Sequence, residues 1–435
     1  MQIKAFKGYR FDPGVVGDAG ACISPPYDVI NEAEQQRLYE RSEHNIVRII
    51  RGKAELGDGE AVNVYSRAAG YLKQWIDQGV LKQDTQEAIY AYIQDFEAAG
   101  RHYRRDGFVG LGKLEPFGPV VRPHEQTLSK PKADRLRLER ATGAKLGLVF
   151  MLYEDPRMVA DEIMEKAARG PVLLDMTDGD GVRHRLYAVT GRADIDAIAR
   201  MMADKSVVIA DGHHRYETGL ATLAERGEAA AWQMMAFVNT CHEGLVVLAT
   251  HRLVGNVPDF DGKQLIAAVK EHFALERIAF EGPAGKKRAC GDMMKRLRGH
   301  FDAGRNAFGI YWGDGAFYVA VLEDASAMDG PGAGRSKAWR GLDVAILHKL
   351  VIERLLGVGE SQLAGEGFVE YIKDKENAIG DSIRAVDEGR KQVAFFMNPP
   401  RISQIRDVAE AGEKMPQKST FFHPKFFTGL VIQKL

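Results

Sequence analysis

The chain has 435 residues, long enough for two or three domains that each bury their own core. Hydrophobic residues make up 45% and charged residues 27%, the balance of a globular protein and not of a disordered one. Lys+Arg 59 against Asp+Glu 60 leaves a formal charge of -1, which argues against a broad nucleic-acid footprint while allowing a local basic site.

In chain order, Ser24-Pro25-Pro26-Tyr27-Asp28 is the first marked feature, two prolines holding Tyr27 and Asp28 at a rigid turn. Asn31 with Glu34 predicts a capped helix, and His44 to Ile50 reads as a strand. Val62, Tyr65, Ala69, Leu72 and Ile76 recur at helical spacing until Gly79. Segments 89–96 and 108–114 alternate like a hairpin turning at Ala98-Ala99-Gly100. Arg122-Pro123-His124-Glu125-Gln126 lies on a constrained loop before a basic helix, Lys130 to Arg140. Further strands are expected at 146–152 and 182–189, and helices at 158–168 and 195–202. Segments 234–239 and 245–249 read as a buried strand pair, with Asn239 at its end. After a polar connection at 254–262 come helices near 265–273 and 286–300, then a hairpin over 307–321. An amphipathic helix over 342–356 and strands at 393–397 and 430–432 complete the chain. The basic loop between them carries Lys414, Lys418, Ser419, Thr420 and Lys425, a set able to hold an anion. Cys22, Cys241 and Cys290 lack paired spacing and are expected to be free thiols in a reducing cytoplasm. No 18-residue apolar run predicts a membrane span.

The stretch richest in chemistry is Val207-Val208-Ile209-Ala210-Asp211-Gly212-His213-His214-Arg215-Tyr216-Glu217. Its β-branched start predicts a buried strand, and Tyr216, Leu220 and Leu223 predict one face of a helix that Gly227 stops. A strand–turn–helix presents backbone N–H groups and the positive end of a helix dipole, which suit an anionic oxygen, usually a phosphate. Two other readings stay open. Asp211 could act only as a helix cap beside a surface Arg215–Glu217 pair, or His213 and Glu217 could ligate a transition metal from one helical face.

With these motifs in view the chain resembles a bacterial family known as domain of unknown function 1015. The resemblance rests on Ser-Pro-Pro-Tyr-Asp-Val-Ile at 24–30, Arg-Pro-His-Glu at 122–125, Ala-Asp-Gly-His-His-Arg-Tyr at 210–216 and Lys-Met-Pro-Gln-Lys-Ser-Thr-Phe-Phe at 414–422. More distantly, Pro-His-Glu-Gln followed by Asp-Gly-His-His-Arg is similar to the motif pair of archaeal free serine kinases of the ParB/sulfiredoxin-like fold group. That likeness implies Glu125 and Asp211 as catalytic residues, Glu125 being the base. It implies nucleotide phosphate on Gly212, His213, His214 and Arg215, with Asp211 holding Mg²⁺. Sulfiredoxin chemistry is disfavoured, because His213 stands where that family carries its cysteine. A DNA clamp is disfavoured by the absent helix-turn-helix signature and the near-neutral charge.

The expected architecture is α/β (α+β): a ParB/sulfiredoxin-like phosphate-binding core over 120–255, between N-terminal (1–119) and C-terminal (256–435) α/β parts. The expected function is a cytoplasmic small-molecule kinase transferring a phosphoryl group from ADP or ATP to a hydroxyl, best that of free L-serine. Arg122 or Lys418 would meet the amino-acid carboxylate, and His124, Asn239, Ser419 and Thr420 would complete the substrate site. The alternatives are a nucleotide-binding regulator without turnover and a nucleotide or phosphoester hydrolase. The partners expected are a small molecule and a nucleotide, with neither nucleic acid nor membrane.

Overall fold

In the computed structural model, which describes residues 1–125, 129–359, 362 and 367–435, the hairpin expected around Gly100 forms the spine of the first sheet. Strands Ile89–Ala98 and Arg101–Lys113 pair antiparallel, with Ala98 opposite Arg101 and Tyr90 opposite Val109. The two turn residues, Ala99 at φ 49° and Gly100 at φ 72°, both take the left-handed conformation that matches strand twist in a two-residue hairpin loop.

The chain divides into two compact units, one of residues 1–123, 127–246 and 424–435, the other of 124–126 and 247–423. The first holds a nine-stranded mixed sheet. Its strands run in the order Val121–Arg122, Val207–Asp211, Val149–Tyr153, Trp232–Asn239, Arg101–Lys113, Ile89–Ala98, Arg183–Val189 and Val172–Thr177, and Ile3–Lys4 pairs with Arg101–Lys113. Two neighbouring pairs are parallel: Val207–Asp211 with Val121–Arg122, and Trp232–Asn239 with Val149–Tyr153. One apolar core joins Ile93, Phe108, Met151, Ile209 and Phe237 of the sheet to Met164, Ile198 and Met202 of helices Val159–Ala167 and Arg192–Met202. The second unit is built on a six-stranded antiparallel sheet. Helix Gly282–Asp302 lays Met293 and Leu297 into that unit's core beside Val319 and Phe396. The protein is therefore of the mixed α/β, α+β class. Among the described residues no helix is long and apolar enough to cross a membrane.

Several local expectations are corrected. His44 to Ile50 is not a strand: Val47–Ile50 is a short helix, started where Asn45 Oδ1 accepts the Val47 N–H at 3.0 Å. Its β-branched residues are buried all round, and complete burial erases the periodicity that separates strand from helix. The expected pair at 234–239 and 245–249 does not form; Val246–Leu248 is a three-residue strand that pairs with Phe421–His423. The helix near 265–273 ends at Val269, and Phe273 opens a strand, Phe273–Ala279. The helix over 342–356 is α-helical only at Asp343–Ile346 and continues over Leu347–Glu353 with π-helical spacing.

Asp343, at the start of that helix, accepts a hydrogen bond from Asn306 Nδ2 at 2.6 Å. Burial pushes its carboxyl up to about 6, against the lowering effect of Asn306, the Ala307 amide and Arg401. Between pH 4 and 6 the folded protein thus binds a proton that the unfolded chain has released, so stability falls as pH rises through this window. Asp343→Asn keeps the acceptor oxygen and removes the charge. It is expected to raise stability at pH 7 by on the order of 2 kcal/mol and to flatten the decline between pH 4 and 6. Denaturant midpoints at pH 4, 5, 6 and 7 check this; an unchanged pH slope would refute it.

Candidate functional site

Strand Val207–Asp211 is buried along Val207 to Ala210, as its β-branched sequence predicts. It lies between Val121–Arg122 and Val149–Tyr153, and its register against the latter slips between Ile209 and Asp211. The extra residue is Ala210, and a bulge of this kind re-aims the side chain that follows it, here Asp211. Gly212 then turns at φ 88°, ψ 28°, a conformation that favours glycine, and helix His213–Arg226 begins. A Cβ on Gly212 would stand 2.9 Å from Arg215 Nε, and one on Gly147 would stand 3.2 Å from Arg215 Cδ. Two glycines therefore make the slot in which the Arg215 side chain lies.

The two Asp211 oxygens meet two cations. Oδ2 accepts from Arg215 Nη2 at 2.8 Å, and Oδ1 accepts from Lys425 Nζ at 2.8 Å. Burial would raise this carboxyl, but the charges of Lys425, Arg215 and His213 outweigh burial and hold it well below the usual carboxylate range. One carboxylate shared by two permanent cations leaves a local excess of positive charge at the first turn of a 14-residue helix. Such an arrangement attracts a further anion. Tyr216 serves the scaffold, donating from its buried hydroxyl to the Glu115 carbonyl at 2.7 Å. Glu217 faces Lys132 at 3.4 Å. No group of three His, Cys, Asp or Glu able to hold a metal occurs among the described residues.

The other candidate residues fall into two sets. Arg122 ends the strand beside the turn, opposite Val208. Asn239 is 1% exposed and wholly committed. Its amide donates to the Asp155 carbonyl and to Asp161 Oδ2, and its Oδ1 accepts from the Asp155 and Cys241 amides, so it ties strand Trp232–Asn239 to the start of helix Val159–Ala167. The second unit gathers the rest. There the buried His124 ring bonds Thr420 Oγ1 at 2.9 Å through Nε2, and its carbonyl accepts from the Met415 amide. Glu125 Oε1 accepts the Lys418 N–H at 3.3 Å. Lys418 has φ 55°, left-handed for a residue with a side chain, and its carbonyl accepts from the buried Arg252 at 3.2 Å. Ser419 donates to the Pro416 carbonyl. Gln126 and Thr127 lie outside the described residues.

Sequence reasoning singled out Lys425 as one basic residue of a tail but did not join it to Asp211. It also missed Gly147, and Arg135, whose guanidinium lies 3.9 Å over the Tyr27 ring. Only the Pro-Pro-Tyr turn hinted at that corner.

Fold and site together define a two-unit α+β protein that carries a strand–turn–helix element with its carboxylate clamped by two cations. The chain belongs to the family described as protein of unknown function DUF1015, whose model matches residues 3–345. The 414–422 motif and Lys425 lie beyond that matched span. No curated protein matches the chain. Among solved structures it is similar to a free serine kinase in complex with AMP, at 14% identity and TM-score 0.34 over 72% of this chain and 86% of that one. It is also similar to C-terminally truncated SbnI from Staphylococcus aureus, at 12% identity and TM-score 0.33 over 75% and 87% of the two chains. A conserved hypothetical protein from Pyrococcus furiosus matches at 14% identity and TM-score 0.31 over 72% and 89%.

Proposed function

We propose that this protein is a small-molecule kinase that transfers a phosphoryl group from ADP or ATP to a hydroxyl, with free L-serine as the acceptor. The observation that carries the reading is the Asp211–Arg215 turn, where Arg215 and Lys425 converge on one carboxylate at a helix start. In this reading the nucleotide phosphates lie on the turn, held by the Gly212, His213 and His214 amides and by Arg215, on a ParB/sulfiredoxin-like core over 120–255. Glu125 accepts the proton of the attacking hydroxyl, which is a poor nucleophile near neutral pH. Lys418 or Arg122 meets the carboxylate of the amino acid, and His124, Ser419 and Thr420 support that side. Mg²⁺ enters as the counter-ion of the nucleotide. Asp211 is the residue that would ligate it, but both Asp211 oxygens are engaged by cations, and no step relies on metal bound to the protein. The three unpaired cysteines suit a cytoplasmic setting.

That engagement of Asp211 favours a second reading, a regulator that binds nucleotide and does not turn it over. Incubating the purified protein with ADP or ATP, Mg²⁺ and serine separates the readings, and O-phosphoserine is the expected product. Tight nucleotide binding without product selects the regulator, and phosphate release without an acceptor selects a hydrolase. Arg215→Ala is expected to weaken nucleotide binding about 10–100-fold by calorimetry, since it removes a charge-assisted contact. Unchanged affinity would take the phosphates off this turn.

A further inference from the structure

Behind Arg215 lies a cavity of about 50 Å³, several times what one water requires, in the wall of which stand Tyr27, Leu138, Leu146, Arg215, Thr218 and Gln233. Thr218 is on the second turn of helix His213–Arg226 and is 1% exposed; Gln233 is on strand Trp232–Asn239 and is 2% exposed. Among the described residues neither Thr218 Oγ1 nor Gln233 Oε1 has a hydrogen-bond partner. A buried helical threonine ordinarily bonds back to the carbonyl four residues earlier, as Thr222 does to Thr218 at 3.1 Å. Thr218 makes no such bond. Gly219 leaves room for the glutamine oxygen, because a Cβ there would stand 2.8 Å from Gln233 Oε1. Two polar atoms so placed cost free energy in a close-packed interior unless something else engages them.

We propose that this cavity receives an uncharged hydrogen-bonding group joined to the phosphate held by the 211–215 turn. The proposal rests on the phosphate-binding reading of that turn. Arg215 connects the two places, since its guanidinium bonds Asp211 and its side chain lines the cavity. Gln233 Oε1 can only accept, so the ligand group must offer an N–H or O–H, while the Thr218 hydroxyl can give or take. Arg135, Arg215 and Lys145 line the same space, and Glu139, the one carboxylate among its described lining residues, is paired with Lys145. That balance disfavours an ammonium and selects a neutral amine, amide or hydroxyl. Two kinds of phosphate ester carry such a group: a nucleotide, through its base or sugar, and a small phosphorylated alcohol.

Calorimetry on the full chain and on Thr218→Val and Gln233→Leu, with inorganic diphosphate, ADP and glycerol phosphate as separate ligands, tests this. Diphosphate should bind all three proteins alike. One of the two esters should lose about 3–10-fold in affinity in each variant, and which one loses identifies the ligand class. The ligand-free Thr218→Val variant should melt no lower than the parent, because that substitution deletes an unpartnered polar atom, whereas a purely structural role would lower the melt. If diphosphate binds and both variants bind both esters like the parent, the cavity holds only water and the proposal is overturned. If the parent binds none of the three ligands, the reading of the turn fails and the proposal fails with it.

Discussion

Glu125→Gln is expected to lower phosphoryl transfer about 10²–10⁴-fold, the usual contribution of a positioned general base, while nucleotide affinity stays within about twofold. The substitution is close to isosteric, and the new Oε1 can still accept the Lys418 N–H that Glu125 accepts at 3.3 Å. What disappears is the capacity to take a proton. Affinity is spared because the proposal places the phosphates on the Asp211–Arg215 turn, among residues the substitution leaves intact. Single-turnover product formation and calorimetry on one preparation measure both quantities. Turnover within tenfold of the parent would remove Glu125 from the chemistry, and a parallel loss of binding would recast it as a binding residue.

Gly244→Ala is expected to destabilise the first unit by about 3 kcal/mol or more, the upper range for forcing a methyl group into filled space. A Cβ at Gly244 would stand 1.9 Å from the Arg104 carbonyl oxygen and 2.7 Å from Arg105 Cα. These are backbone atoms of the 13-residue strand Arg101–Lys113, so no rotamer change relieves the clash. Displacing that strand also disturbs Arg105, whose buried guanidinium donates to Gln94 and to the Pro424 carbonyl. Burial holds that guanidinium down at about 9. The melting midpoint should fall by about 6 °C or more. Gly70→Ala is the control: it lies inside helix Val64–Asp77 with nothing within 4 Å, and alanine there should be neutral or stabilising. A Gly244→Ala protein melting within a degree of the parent would show that the loop can retreat.

How legible these features are in the sequence follows from how local their causes are. The strand–turn–helix at 207–226 can be read directly, because its β-branched run, its Asp-Gly turn and its apolar spacing lie within twenty residues. The hairpin at 89–113 is legible for the same reason. By contrast, the ion pair of Asp211 with Lys425 spans 214 positions, and nothing in either neighbourhood points to the other. The His124–Thr420 contact spans 296 and is equally silent. Elements buried on every side, such as Val47–Ile50, lose the pattern that a half-exposed helix keeps. Short edge strands fail differently: Val172–Thr177 is largely exposed and alternates weakly, so only its pairing with Arg183–Val189 defines it.

Residues 424–435 complete the first unit although the whole second unit precedes them in the chain. Lys425 reaches Asp211, the Pro424 and Lys425 carbonyls receive Arg105 and Gln94, and Gln433–Lys434 pairs with Ala144–Lys145. On the ribosome, therefore, the strand that bears Asp211 is made long before Lys425, the second of its two cations. The nascent unit must wait with Ala144–Lys145 unpaired and a buried arginine lacking one of its acceptors. A translation product that stops short of residue 424 contains every residue of the Asp-Gly-His-His-Arg turn and still lacks the assembled clamp, so any competence that depends on the clamp is withheld until synthesis has passed this segment.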